Sequence, residues 1–213
     1  MMETFKTFFL LGHDPGLRDY LISAGFVYVD LKEADIIVYA GGEDIGTEIY
    51  NESPVLRGIP KHRSVRDVDE MVVFETYPQK FKLGICRGSQ MLNCLNGGTL
   101  WQHVDQHTRS HDMIDTRTGE TIKVTSTHHQ QMRPDLTKGE LLAFATECKI
   151  KMADGIVLKP TYENQQVEFD AEIVWYPGTR TLCVQGHPEY VPESRFGEYV
   201  ISLINEMYEY VAA

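Results

Sequence analysis

The sequence predicts an α/β fold in which a doubly wound, mostly parallel sheet is flanked by helices. Strands of the buried type alternate with helices through the first half of the chain, and such alternation is typical of parallel sheets. Further strands and one amphipathic helix follow in the second half. With 213 residues, of which 42% are hydrophobic and 24% charged, the chain can bury one sizeable core. We therefore predict a single domain over residues 1–213.

The first half alternates between short apolar runs and segments in which apolar residues recur at helical spacing. The first helix closes at Gly25, and the paired glycines Gly41 and Gly42 end the third strand. The strands are predicted at residues 7–12, 26–30, 35–42 and 80–85, and the helices at residues 17–25, 64–77 and 87–98.

The second half begins with a predicted hairpin over residues 112–126, which turns near Thr118 and Gly119. Three further strands are predicted to form or extend the sheet, at residues 140–146, 172–177 and 181–186. From Glu193 onward the apolar residues recur at helical spacing, which predicts a helix that covers one face of the sheet. These apolar residues are Phe196, Val200, Leu203, Ile204 and Met207.

The net charge of −11 argues against nucleic acid and against an anionic membrane surface, because both select clustered Lys and Arg. No run approaches the roughly 18 apolar residues of a membrane span, and the N-terminal apolar segment is too short for a secretory signal. We therefore expect a cytoplasmic protein. Its four cysteines lack C-x-x-C spacing, so we expect free thiols rather than disulfides or a zinc cage.

Cys86 follows a predicted strand, precedes a predicted helix and is framed by Gly84 and Gly88. This G-x-C-x-G pattern is the sulfur version of the nucleophile elbow, whose sharp turn exposes a nucleophile at the carboxyl edge of the sheet. The N-terminus of the helix also favours a thiolate over a thiol. The competing interpretation is a core cysteine beside two incidental glycines, and the short motif alone does not exclude it.

Among the eight histidines, His187 stands out because it follows a predicted strand, at the sheet edge where the elbow would expose Cys86. In an extended backbone Glu189 points to the same side, so its carboxylate can orient and stabilise the imidazole. Pro188 favours that extended backbone at His187. Taken alone, the H-P-E segment would be a surface turn, but together with the elbow it indicates a catalytic pair.

These residues resemble the signature of the class I glutamine amidotransferase-like proteins, in which a G-x-C-x-G elbow precedes H-P-E by roughly the separation seen here. The resemblance implies a flavodoxin-like fold. Within that group the chain is most similar to the gamma-glutamyl-gamma-aminobutyrate hydrolase type, because stretches across most of its length match. They are GGEDIGTEIY (41–50), RDVDE (66–70), GICRGSQMLN (84–93), GGTLWQHV (97–104) and STHHQ (126–130).

The resemblance implies a role for each matching residue. Cys86, His187 and Glu189 take the places of the nucleophile, the general base and acid, and the orienting carboxylate. The oxyanion hole would use the backbone N–H groups of Arg87 and Gly42, which suits the chemistry because backbone donors stabilise a developing oxyanion. The substrate-contacting positions are Gln90, His128 and Gln130. The resemblance implies no metal and no other cofactor.

Two features depart from the family pattern. Gly186 precedes H-P-E where an aromatic or apolar residue is usual. We interpret this glycine as leaving room beside His187 for a leaving group larger than ammonia, provided that neighbouring side chains do not fill the gap. The chain is also shorter than many hydrolases of this type. Residues 57–66 form a small basic island, which we interpret as a solvated loop, with a site for a substrate carboxylate as the alternative.

His103, His107 and His111 are spaced four apart, which would suit metal ligands on one helix. Paired glycines and the predicted hairpin argue against a continuous helix here. We therefore expect these histidines to line or brace the rim of the active site rather than to bind metal. Cys94 and Cys183 are expected to be packing residues.

Three functions stay open on these residues. The favoured one is a stand-alone hydrolase that cleaves the gamma-glutamyl amide bond of a small substrate through a glutamyl-thioester intermediate. The second is a glutaminase subunit that delivers ammonia to a separate synthetase, and the third is a non-enzymatic binding module that kept the fold. The candidate protein partners are a second copy of the chain and a synthetase subunit.

Overall fold

The structure of the protein is a computed structural model that describes residues 6–159 and 169–212. Its strands are numbered in chain order. Those in the described residues are β1 (Thr7–Leu11), β2 (Val27–Tyr28), β3 (Ile36–Tyr39), β4 (Phe81–Ile85), β5 (Thr99–Trp101), β6 (His103–Val104), β7 (His111–Asp115), β8 (Thr121–Val124), β9 (Gln131–Arg133), β10 (Glu140–Ala145), β11 (Lys151–Ala153), β12 (Ile156–Leu158), β13 (Asp170–Tyr176) and β14 (Thr181–Val184).

Nine of these strands form one central sheet in the order β2-β1-β3-β4-β14-β13-β10-β7-β8. The strands from β2 to β14 pair in parallel, and those from β14 to β8 pair antiparallel. The parallel half is the part in which helices alternate with strands, because a parallel pair needs a crossover connection. The antiparallel half contains the predicted hairpin, now β7 and β8. The structure confirms the predicted fold class.

Two smaller sheets, with the strand orders β12-β11-β6 and β5-β9, lie outside the central one. The sequence analysis did not predict them. Each of their strands has only two or three residues, which is too short for an alternating pattern to be recognised.

Four α-helices flank the sheet within the described residues, and each overlaps a predicted helix. They are α1 (Pro15–Ser23), α2 (Val65–Thr76), α3 (Arg87–Leu95) and α4 (Arg195–Ala212). The apolar faces of α1 and α4 pack on one face of the sheet, and those of α2 and α3 pack on the other. None of the helices described combines the length and the apolar character that crossing a membrane requires.

The centre of the sheet places three chain segments side by side at its carboxyl edge. Strand β4 lies between β3 and β14 and runs parallel to both. Chain segments that leave the ends of these strands therefore emerge next to one another. They carry Gly41 and Gly42 after β3, Cys86 after β4 and His187 after β14.

We expect Gly88→Ala to lower the free energy of unfolding by about 1–3 kcal/mol through overpacking. A Cβ atom at Gly88 would lie only 2.0 Å from the carbonyl oxygen of Tyr39, because the first turn of α3 packs directly on β3. Gly178→Ala is the matched control, since a Cβ there meets no described atom within 4 Å. Urea unfolding measures both variants, and equal losses would contradict this close packing.

Candidate active site

Cys86 occupies the sharp turn between β4 and α3. Its backbone has φ 51° and ψ −112°, and a positive φ of this kind costs a non-glycine residue on the order of 1–3 kcal/mol. The Cys86 N–H donates to the carbonyl oxygen of Val184 (2.9 Å), and the Cys86 carbonyl oxygen accepts from the Gln90 N–H (3.1 Å). The thiol is thereby fixed at the N-terminus of α3, where the helix dipole stabilises a thiolate.

His187 lies between Cys86 and Glu189. Its Nδ1 atom is 2.6 Å from Oε1 of Glu189, and all three side chains are buried. Burial disfavours the imidazolium, but hydrogen bonds to Cys86 and Glu189, together with their negative charges, outweigh burial and raise the pKa of His187. The contacts with Cys86 and Glu189 therefore favour the protonated form of the His187 imidazole.

Two contacts that the sequence analysis did not single out hold the His187 ring and backbone. The ring of Tyr190 stacks on the ring of His187, with 4.3 Å between centroids and 4° between planes. The His187 N–H donates to the carbonyl oxygen of Thr125 (2.9 Å), and the Thr125 hydroxyl donates back to the His187 carbonyl. Tyr190 adjoins H-P-E and could have been found there, whereas Thr125 is distant in the chain and carries no local signal.

The glycine pair after β3 packs against the two reactive side chains. A Cβ on Gly41 would lie 3.1 Å from Cε1 of His187 and 3.7 Å from Cβ of Cys86. Arg66 Nη2 donates to the carbonyl oxygens of Ala40 (2.8 Å) and Gly41 (3.1 Å). Because the C=O and N–H of a trans peptide point in opposite directions, this guanidinium turns the N–H of the next residue away from itself. That residue is the predicted oxyanion-hole glycine, Gly42.

The side chain of Arg87 points away from Cys86 and toward α2. Its guanidinium is 1% exposed and pairs with Asp67 and Glu70, which are equally buried. Glu70 also pairs with Arg66 at 2.9 Å. One ion network therefore joins the elbow, α2 and the glycine pair. The backbone N–H of Arg87 is the first of α3, and such groups have no acceptor within the helix, so it is free to donate to an oxyanion.

The expectation for residues 57–66 needs one correction. Arg57, Lys61 and His62 are exposed, as a solvated loop requires. Arg66 is instead partly buried and holds the glycine pair, which the sequence analysis missed. RDVDE matches the family only as a stretch of sequence. A charged segment at the start of an amphipathic helix does not by itself indicate that its charged side chains are buried.

A cavity of about 360 Å³ opens beside Cys86 and His187. Its wall holds the predicted substrate-contacting residues Gln90, His128 and Gln130, with Gly42, Glu43, Asp44 and Tyr190 also among the lining residues. Gln90 Nε2 donates to the carbonyl oxygen of Gln130 (3.0 Å), and His128 Nδ1 lies 2.9 Å from the same oxygen. The structure thus brings these three residues to one wall, while Glu189 and the Arg87 side chain lie outside the lining.

Several polar atoms in this wall have no hydrogen-bond partner within the described part of the chain. They are Nε2 of His128 and both amide atoms of Gln130. A buried polar atom without a partner costs about 1–3 kcal/mol. Burial, together with the neighbouring histidines, lowers the pKa of His128, so its ring is neutral near pH 7. These unpaired atoms are buried, so a polar ligand in the cavity would pair with them only after the side chains turn toward it.

The interpretation of Gly186 was wrong. A Cβ at this position would lie 2.4 Å from Cγ1 of Val124, 3.0 Å from Cζ of Phe196 and 3.0 Å from the Thr125 carbonyl oxygen. Neighbouring side chains therefore fill the volume that a larger residue would occupy. Gly186 leaves no room for a leaving group, and its absence of a side chain is explained by packing against β8 and α4.

The remaining cysteines behave as predicted. Cys94 and Cys183 are buried within apolar clusters, which confirms that they are packing residues. Burial raises the pKa of the Cys94, Cys148 and Cys183 thiols. All four cysteines are free thiols in the structure. Cys86 is set apart from the other three by its place at the cavity beside His187.

The fold is that of the glutamine amidotransferase-like α/β proteins. Two solved structures share its fold over 97% of the chain, each at 14% identity. One, from Thermoplasma acidophilum, is provisionally named as part of a GMP synthase; it has a TM-score of 0.63, with 96% of that chain covered. The other is a glutamine amidotransferase from Thermotoga maritima with a TM-score of 0.59, of which 85% is covered.

The chain belongs to the peptidase C26 family, which it matches over residues 27–189. A curated relative from Lactococcus lactis, provisionally named glutamine amidotransferase-like protein YvdE, is 30% identical over 113 residues, or 52% of this chain and 46% of the relative. The chain spans about half the length of the curated relatives it matches. Family and relatives support a hydrolase or an amidotransferase as the class of enzyme.

We expect Arg87→Met to lower the free energy of unfolding by about 3–5 kcal/mol, because the buried Asp67 would lose its ion-pair partner and the buried Glu70 would keep only Arg66. Arg195→Met is the matched control. Arg195 also pairs with a carboxylate, Glu120, but both side chains are exposed, so its loss should leave the free energy of unfolding almost unchanged. Chemical denaturation compares the two variants, and similar losses would argue against the ion network as a support of the fold.

Proposed function

We propose that this protein is a cysteine-dependent hydrolase that cleaves the gamma-glutamyl amide bond of a small substrate. The observation that carries the proposal is the elbow at Cys86, whose thiol meets His187 beside a small cavity with a polar wall. Only a short list of reactions needs a strained, activated thiol with a proton carrier and backbone donors beside it. Acyl transfer from an amide is the one that fits the family.

In the first half of the proposed reaction, the Cys86 thiolate attacks the amide carbonyl carbon. The oxyanion that forms accepts hydrogen bonds from the N–H groups of Gly42 and Arg87, which are worth roughly 3 kcal/mol each in comparable sites. The His187 imidazolium then gives its proton to the amine nitrogen, and the C–N bond breaks. The products are a free amine and a glutamyl thioester on Cys86.

In the second half, neutral His187 takes a proton from a water molecule that attacks the thioester carbonyl. Collapse of this second tetrahedral intermediate releases the glutamate carboxyl group and returns the Cys86 thiolate. The imidazolium is again paired with Glu189, whose carboxylate is 2.6 Å from Nδ1 and orients the ring. One water molecule is consumed for each amide bond broken.

Recognition of a glutamyl group is supported by the unpaired polar atoms of the cavity wall. A gamma-glutamyl amide presents an α-ammonium and an α-carboxylate, which require acceptors and donors when they leave water. Gln130 has one of each and His128 Nε2 is a further unpaired polar atom, and these buried atoms would reach the ligand after small side-chain rotations. The cavity volume of about 360 Å³ is at the small end of ligand sites, which suits a glutamyl group better than a peptide.

The competing function is a glutaminase subunit that feeds ammonia to a synthetase. It is favoured by the fold neighbour from Thermoplasma acidophilum, provisionally named as part of a GMP synthase. A glutaminase of that kind is best kept idle until its partner docks, because free ammonia is wasted. Here Arg66 already holds the Gly41 carbonyl, which supports an oxyanion hole that is assembled without a partner.

A binding module that kept the fold is the third candidate. Such a module would gain nothing from the strained backbone at Cys86, which costs stability and serves an exposed nucleophile. A protein that no longer needs a nucleophile would not be expected to keep this strained backbone conformation. We therefore rank it below both enzymes.

The test compares substrates in the absence of any partner. We expect at least one gamma-glutamyl amide of a small amine or amino acid to have a higher kcat/KM than glutamine. Cys86→Ala should lower the rate by on the order of 10⁴ to 10⁶-fold, whereas the matched control Cys94→Ala should keep it. Cleavage of glutamine alone, strongly accelerated by a co-purifying synthetase, would favour the glutaminase subunit. Full activity in Cys86→Ala would end the covalent mechanism.

We also expect Glu189→Gln to move the alkaline limb of the kcat/KM profile to lower pH. His187 must hold its proton to release the amine, and the charge of Glu189 is one of the contributions that raise its pKa. Without that charge the imidazolium is lost at a lower pH. Rates measured from about pH 5 to about pH 11 locate the limb. The exposed Glu193→Gln variant should leave it in place, and an unmoved limb in Glu189→Gln would contradict the assignment.

A further inference from the structure

A cluster of buried histidines and carboxylates lies behind the cavity wall. His107 lies in the segment between β6 and β7, His111 begins β7, and Glu172 belongs to β13; all three are buried. The ring of His107 stacks on that of His128 in the cavity wall, with 4.9 Å between centroids. His103 lies apart on β6. Strands and a loop bring the other two histidines together, where the sequence analysis had considered only a helix.

The distances within this cluster suit a shared metal ion. His111 Nε2 is 3.1 Å and His107 Nδ1 is 3.8 Å from Oε1 of Glu172, and each residue offers a ligand atom within 4.8 Å of the others. An ion held about 2.0–2.2 Å from nitrogen and oxygen ligands separates those ligands by roughly 3–3.5 Å. Small shifts of side chains would reach that spacing.

The second nitrogen of each imidazole already has an acceptor of its own. His107 Nε2 is 3.0 Å from Oδ2 of Asp170, and His111 Nδ1 is 3.2 Å from the carbonyl oxygen of Arg109. Metal-bound histidines almost always donate their other N–H to a carboxylate or a backbone carbonyl in this way. His107 Nδ1 also lies 3.3 Å from His111 Nδ1, so without a metal it can accept a hydrogen bond from that N–H. A metal ion would take the lone pairs of His107 Nδ1 and His111 Nε2 in place of the contacts that these atoms make with His111 and Glu172.

The charge of Glu172 also calls for a cation. The neighbouring carboxylate of Asp170 is paired with Lys151 Nζ at 2.6 Å, whereas Glu172 contacts only the two histidines among the ion pairs found in the described residues. Its second oxygen, Oε2, is buried and has no hydrogen-bond partner in that part of the chain. A buried carboxylate needs a compensating charge. The cation is either a proton on an imidazole or a metal ion.

An alternative set of ligands on the far side of His107 is less suitable. It consists of His107, Cys148 and Asp170. Burial and the charge of Asp170 raise the pKa of the Cys148 thiol, and a thiol binds metal only as the thiolate. The Cys148 thiol also contacts the Asp105 carbonyl oxygen at 3.2 Å.

We propose that His107, His111 and Glu172 bind one divalent transition-metal ion of the zinc class. Two imidazoles and one carboxylate are a ligand set that zinc accepts. The ion would join the segment before β7 to β13 and, through His107, support His128 in the cavity wall. Its role is structural, and the inference does not depend on the reaction proposed above.

The test titrates the full chain with Zn²⁺ after removal of bound metal by a chelator, using protein purified without a polyhistidine tag. The host is Cys86→Ala, because the thiolate beside His187 could otherwise take the ion. We expect about one equivalent of Zn²⁺ per chain and a higher melting temperature with the metal. Co²⁺ should give the visible absorption bands of a site with nitrogen and oxygen ligands.

Variants in the same host locate the ion. His111→Gln and Glu172→Gln should abolish stoichiometric binding, and Asp170→Asn should weaken it about 10–100-fold because Asp170 orients His107. His103→Gln is the matched control and should bind as the host does. Equal binding by His103→Gln and His111→Gln would place the ion elsewhere and overturn the proposal.

The Cys86→Ala host protein alone also tests whether the cluster binds a metal ion, even where a further variant fails to fold. A folded host that binds no Zn²⁺ stoichiometrically and whose melting temperature does not respond to Zn²⁺ would show that a proton, and not a metal, compensates Glu172. Loss of turnover in the native chain with normal Zn²⁺ binding would contradict only the proposed hydrolase. The two failures are therefore distinguishable.

Discussion

The positive φ at Cys86 is the constraint on which the rest of the site depends. A strand that must become a helix within one residue can do so only if the first turn of the helix packs tightly on the neighbouring strand. A Cβ at Gly88 would accordingly clash with the Tyr39 carbonyl oxygen, and β4 is held between β3 and β14 in the sheet. The same turn sends the Cys86 thiol to one side of the chain and the Arg87 guanidinium to the other. Strain at one residue is thus balanced by packing and ion pairs at its neighbours.

Helix α2 acts as a brace between the parts of the site. Its Asp67 and Glu70 hold Arg87 behind the elbow, and its Arg66 holds the peptide before Gly42. Buried ion pairs of this kind add little net stability compared with apolar packing, but they are costly to break singly. Their value here is geometric, because the segments that follow β3 and β4 are fixed relative to each other through α2 by a few directional contacts.

Much of this arrangement could be predicted from the sequence, and what could not has physical reasons. The order of strands and helices follows from apolar periodicity, and glycine spacing marks the turn at Cys86. Gln90, His128 and Gln130 were expected near the site from matching stretches and do lie in one wall. The burial of Arg66 and Arg87 was missed because ion pairing leaves no periodic signal. Gly186 was misjudged because the Val124 and Phe196 side chains that fill its surroundings come from β8 and α4. The strands of two or three residues are too short to show an alternating hydrophobic pattern in the sequence.

The acidic character of the chain has a consequence for how substrates arrive. Glu43 and Asp44 line the cavity of a protein whose formal net charge is −11, although Arg66 and His129 partly balance these two carboxylates. Such a field extends about one Debye length, roughly 8 Å at physiological ionic strength, and acts on diffusional encounter before any contact forms. Among the proposed substrates, a gamma-glutamyl amide whose amine portion carries a carboxylate would approach against this field, whereas one that carries an extra ammonium group would be drawn in. Dissolved salt screens this electrostatic field and therefore weakens the discrimination between the two kinds of substrate. It would leave the proposed chemistry at Cys86 unchanged.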